Sequence, residues 1–209
     1  MKKSSRITVL LVVASQLFMS VLCEREEEQD ITTRGLFKVT VPEESNFNVT
    51  DTLWITGRVS AMLFNETTGD SLMNPNESIR DIFSVMRLKT GDSFSNTVEA
   101  ISEFELVSPV GGTDFLGSCP ESELIARAPL TENREQYRYQ LGLVPNNAGD
   151  FVLSWLEPVE LLNEDLNIRI LQKYPVDGRT DYLGLTKCGV GYAIENVSQK
   201  RREFFFTVN

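Results

Sequence analysis

The chain has 209 residues, 41% of them hydrophobic, a formal net charge of −10 and no histidine. The missing histidine excludes Ser-His-Asp and Cys-His catalysis, histidine general bases and the HExxH zinc site. Residues 1–23 carry Lys2, Lys3 and Arg6 and no acid, so the rest of the chain stands at −13; such a field repels phosphate backbones and argues against nucleic acid as a partner.

The amino terminus reads as an export signal over residues 1–23: a basic start, then an apolar run of 16 residues, Ile7–Leu22, broken by Ser15, Gln16 and Ser20. A permanent membrane helix needs about 20 apolar residues. Cys23 closes the run and is the candidate lipidation site. The tract EREEEQD that follows resembles the surface-export signal of some Gram-negative lipoproteins. On that reading the chain is an outer-membrane or cell-surface lipoprotein that touches the membrane only through an amino-terminal lipid. Ordinary cleavage after Cys23 is the alternative and gives a soluble periplasmic or secreted chain. Residues 24–34 are polar without apolar period and are expected to be an acidic, disordered tether.

From Gly35 the sequence reads as short strands separated by turns, in one β-sandwich domain over 35–209. LFKVTV (36–41) is a strand stopped by Pro42. In TLWITGRVSAM (52–62), Leu53, Ile55, Gly57, Val59 and Ala61 share one parity, and Trp54 falls on the opposite one. SIRDIFSVMRL (78–88) has helical spacing at Ile79, Ile82, Phe83 and Met86 and also a β-rich run; a helical turn leading into a strand over 82–89 is expected. VEAISEFEL (98–106) and ELIARAPL (123–130) alternate. EQYRYQLGL (135–143) places Tyr137, Tyr139, Leu141 and Leu143 on one face and Gln136, Arg138 and Gln140 on the other. DFVLSWL (150–156), LNIRIL (166–171), VGYAI (190–194) and EFFFTV (203–208) are the remaining predicted strands, with a helical turn expected in PVELLNEDL (158–166). QKRR (199–202) reads as a charged turn guarding the last strand. Each strand hides one face, so two sheets must stack: an all-β, antiparallel sandwich with at most short helical turns.

Two segments carry a resemblance. FNVTDTLWITGRVS resembles the opening strand of bacterial immunoglobulin-like modules, x-x-x-G-D-T-V/I-x-x-x-G, with Thr50 where glycine is usual. VPNNAGDFVLSW resembles their late strand, P-x-x-A-G-x-Y/F-x-L. The resemblance implies an immunoglobulin-like β-sandwich, and the layout is similar to uncharacterised Gram-negative envelope lipoproteins; it implies a fold, not an activity.

With Cys23 lipidated or lost, Cys119 and Cys188 remain in an exported chain. A bridge between them would close a 69-residue loop, worth about 4 kcal/mol in the chain-entropy picture. Two buried free thiols are the alternative. No phosphate-binding loop or EF-hand pattern is present, and DGRTD (177–181) reads as a polar turn, so no cofactor and no metal are expected. The NxS/T sequons at Asn48, Asn65, Asn76 and Asn196 bear on the chemistry only in a eukaryotic secretory route. Trp54 is the candidate exposed aromatic for ligand stacking. The expected function is an exported cell-envelope binding or structural module without catalytic activity, its partner an envelope protein or glycan. A carbohydrate-binding module is the first alternative, and a glycoside hydrolase working through two carboxylates the second.

Overall fold

The computed structural model describes residues 32–91, 94–162 and 167–209. The expected signal and Cys23 lie outside the described residues, as does most of the expected tether. Its last three residues are not a tether: they pair as a strand with Leu63, Phe64 and Asn65.

In chain order the strands are β1 (Thr32–Arg34), β2 (Phe37–Thr40), β3 (Asn46–Phe47), β4 (Leu53–Ser60), β5 (Met62–Asn65), β6 (Ser71–Met73), β7 (Ser78–Leu88), β8 (Thr97–Glu99), β9 (Phe104–Val110), β10 (Gly112–Phe115), β11 (Glu123–Pro129), β12 (Gln136–Pro145), β13 (Gly149–Trp155), β14 (Val159–Leu161), β15 (Tyr182–Lys187), β16 (Val190–Glu195) and β17 (Glu203–Val208). One large sheet runs β14-β2-β4-β12-β9. The facing sheet runs β10-β11-β7-β13-β17-β3, with β8 attached to the end of β7. β2, β4, β12 and β9 stand where strands A, B, E and D of the immunoglobulin plan stand, and β7, β13 and β17 where C, F and G stand. The all-β sandwich expected from the sequence is therefore present. Its pairing is antiparallel except at two edges, where β14 runs parallel to β2 and β3 parallel to β17.

The inward faces share one core. Phe37, Leu53, Ile55, Tyr137, Tyr139 and Leu141 meet Phe83, Leu124, Phe151, Trp155, Phe204 and Phe206. The five-stranded sheet shows water its other face, so β4 alternates buried and exposed. The facing sheet is covered on both sides over β13, β17 and the second half of β7. A second core of Met86, Leu88, Val152 and Phe205 packs beneath Ile170, Leu171, Leu183 and Leu185. That is why EFFFTV is apolar at successive positions: Phe204 and Phe206 point into the sandwich and Phe205 into the second core. A disulfide joins Cys119 to Cys188, with Cα atoms 5.5 Å apart. It fastens the turn of the β15–β16 hairpin to the loop before β11. Cys188 and Gly189 both have positive φ, as a two-residue hairpin turn requires.

Three local expectations are corrected. Ser78–Leu88 is one strand without a helical turn, because it pairs with β11 on one side and β13 on the other; Phe83, Ser84, Val85 and Met86 are buried in succession, so both faces are covered there. The stretch 98–106 is broken by a 3-10 turn, Ile101–Glu103. β8 pairs with β7 and β9 with β12, so the chain changes sheets there and must turn a corner. LNIRIL does not form a strand: Ile168–Lys173 is a 3-10 helix whose Ile170 and Leu171 close the second core. In the stretch 158–166, Val159–Leu161 forms β14; the rest of the helical turn expected there falls on residues 163–166, which lie outside the described residues.

Candidate functional site

The outer face of the five-stranded sheet carries the outward-parity residues in rows fixed by strand register. Trp54 stands beside Gly142, which stands beside Val107. Thr40, Thr56 and Gln140 form the next row, and Glu160, Lys38, Arg58 and Arg138 the one after. Trp54 is 40% exposed, as its parity predicts. A Cβ on Gly142 would fall 2.9 Å from the indole, so the ring packs into the space that a side chain at position 142 would occupy. Beside it is a groove of about 490 Å3 whose lining includes Thr40, Glu43, Glu44, Thr52 and Thr56. A second recess of about 510 Å3, lined by Lys38, Arg58, Ser60 and Gln136 among others, opens at the far end of the same face.

Asp81 is the residue that sequence reasoning missed. It is 3% exposed and sits on the inward parity of β7, between Ile79 and Phe83. Its Oδ2 accepts hydrogen bonds from the Tyr139 hydroxyl (2.6 Å) and the Trp155 indole N–H (3.1 Å). Burial holds its carboxyl above the usual aspartate range; the bonds from Tyr139, Trp155 and the Ile82 backbone oppose that rise. Asp81 and Glu157 both line a cleft of about 610 Å3, and Glu157 is paired at its rim with Arg34 (3.3 Å). An acid on the apolar parity of a strand was the available signal, and the competing helical period at 78–88 hid it.

The remaining candidates are placed as follows. Cys119, Cys188 and Glu99 bring ligand atoms together, but the two sulfurs are bonded to each other and offer no thiolate; Glu99 instead accepts the Cys188 backbone N–H (2.6 Å). Tyr137, Tyr139 and Trp155 are core residues. On the outer side of the facing sheet, Glu123, Ser84, Ser154 and Glu203 form one buried cross-strand row. Lys187 pairs with Glu123 (3.1 Å), and Glu203 Oε1 and the Ser84 hydroxyl have no partner.

No protein-family model matches the chain, and no curated protein matches it. Among solved structures, a cohesin module from a Clostridium perfringens family 33 glycoside hydrolase is similar at 10% sequence identity and a TM-score of 0.31, over 83% of this chain and 97% of that one.

Proposed function

We propose that the protein is an exported binding module of the cell envelope that works without catalysis. Its ligand docks on the outer face of the five-stranded sheet, around Trp54. The observation that carries this reading is the indole itself. A large aromatic packs against Gly142, is left 40% exposed, and stands beside a groove rimmed by threonine hydroxyls and two carboxylates. A rigid apolar plate with hydroxyls around it suits the stacking of a sugar ring. Attachment through a lipid on Cys23 belongs to the same proposal and would hold the module at the envelope.

The reading of the chain as a hydrolase working through two carboxylates draws less support. Asp81 and Glu157 share a cleft, yet Asp81 is buried under two donors and Glu157 is paired with Arg34.

The test is gel retardation of the exported protein by soluble polysaccharides, set against Trp54→Ala. Retardation that the variant loses supports the proposal; no retardation, or equal retardation of both proteins, ends it. The intact mass of the membrane fraction tests the anchor separately: a mature chain beginning at an acylated Cys23 supports it, and a soluble chain beginning at Glu24 removes it.

A further inference from the structure

We infer that this same face recognises an acidic polysaccharide, with the sugar ring on Trp54 and a carboxylate or sulfate group on Arg58 and Arg138. The inference rests on the binding role proposed above and adds the charge of the ligand. It starts from an electrostatic cost in the fold. Register places Lys38, Arg58 and Arg138 side by side on β2, β4 and β12, all exposed and all pointing outward. Neighbouring strands lie about 4.8 Å apart, and like charges directly opposite each other destabilise a sheet. Lys38 is answered by Glu160 (3.3 Å). Among the described residues no carboxylate pairs with Arg58 or Arg138. Glu135, which lines the same recess, is bonded to the Asn133 side chain (2.7 Å). The balance at that end is positive, in a chain whose net charge is −10.

The two arginines offer forked donors that fit a carboxylate or sulfate. Arg58 and Trp54 are four residues apart on one strand, about 13 Å. The row Thr40, Thr56 and Gln140 lies between them and supplies hydroxyls and an amide for sugar hydroxyls. A recess opens at each end. This arrangement fits an extended chain laid along β4. Glu43 and Glu44 lie beside Trp54, so the sugar on the indole is uncharged and the anionic group belongs at the arginine end. A chain of alternating neutral and acidic sugars meets both demands, and a polymer charged at every residue, such as single-stranded nucleic acid, does not.

The experiment is retardation of the exported protein by hyaluronan, keratan sulfate, dextran and oligothymidylate, for wild type, Arg58→Gln, Arg138→Gln and Trp54→Ala. The expected result is binding to hyaluronan or keratan sulfate that weakens with salt. Each arginine variant should lose about tenfold in affinity with no fall in melting temperature, since the substitution relieves repulsion. Hyaluronan, which carries carboxylates only, and keratan sulfate, which carries sulfates only, separate carboxylate from sulfate recognition. Dextran bound as well as the acidic polymers, with Trp54→Ala alone losing it, would overturn this inference and leave the proposed function standing. Stronger retardation by oligothymidylate would overturn the polysaccharide assignment. No retardation by any polymer would overturn both.

Discussion

Tyr139 on one sheet donates its phenolic proton to Asp81 on the facing sheet across 2.6 Å, and this bond pins the two layers through the middle of the core. Gly57 makes it possible. Gly57 and Tyr139 are register partners on β4 and β12, and a Cβ on Gly57 would fall inside the Tyr139 ring. Burial, with the Asp81 charge adding to it, holds the phenol well above its ordinary range, so Tyr139 stays a donor.

Tyr139→Phe removes one of the two side-chain donors to a buried carboxyl. The expected loss is about 1–3 kcal/mol of unfolding free energy, read as a lower urea midpoint at unchanged slope. Gly57→Ala should cost about the same by overpacking. An unchanged midpoint in both variants would dismiss the pin.

Asp81 also predicts a pH dependence. Its folded-state pKa is raised above the ordinary 3.8, chiefly by burial. The native state therefore holds the proton more tightly than the unfolded chain. The contribution is fully present below about pH 4 and is lost as pH rises through the raised folded value. Glu203 runs the same way: it is 1% exposed, with burial again the first cause. Asp81→Asn and Glu203→Gln should each flatten the decline in stability as pH rises above the ordinary carboxylate range. Urea midpoints that keep the wild-type decline with pH would remove these two acids as its source.

Thr50 has φ +82°, a left-handed conformation that costs a β-branched residue about 1–2 kcal/mol. The turn is fixed by Asp51, whose Oδ2 accepts the Asn48 backbone N–H (2.7 Å). Thr50→Gly is expected to stabilise the fold by about 1 kcal/mol, net of the glycine's entropy. A melting temperature that falls would count against the strain.

The Cys119–Cys188 bridge spans 69 residues. Replacing both cysteines with serine is expected to cost about 4 kcal/mol. Amide exchange should accelerate first in Tyr182–Glu195, the hairpin that the bridge fastens. Uniform acceleration across both sheets would show instead that the hairpin does not open as a separate unit.

Strands that face water on one side were legible residue by residue. The alternation in β4 and β12 gives their buried and exposed faces directly, and it sets Trp54 outward. Strands covered on both sides were harder. β7 alternates only in its first half; from Phe83 to Met86 both faces are buried, and its apolar residues also fit a helix. Ile168–Lys173 has the composition of a strand, yet it is a 3-10 helix whose Ile170 and Leu171 pack on the second core.

The sequence by itself determined the class of fold, the parity of each half-exposed strand, the lack of histidine chemistry and the acidic character of the chain. These follow from residue type and spacing, which act over a few positions. Only the tertiary structure decided which outward residues become neighbours. Lys38, Arg58 and Arg138 are 20 and 80 positions apart in the chain and stand in one row because register sets them there. Asp81, Tyr139 and Trp155 meet for the same reason. Register is a property of paired strands, fixed by burying the apolar face of every strand at once, and no single stretch of sequence contains it.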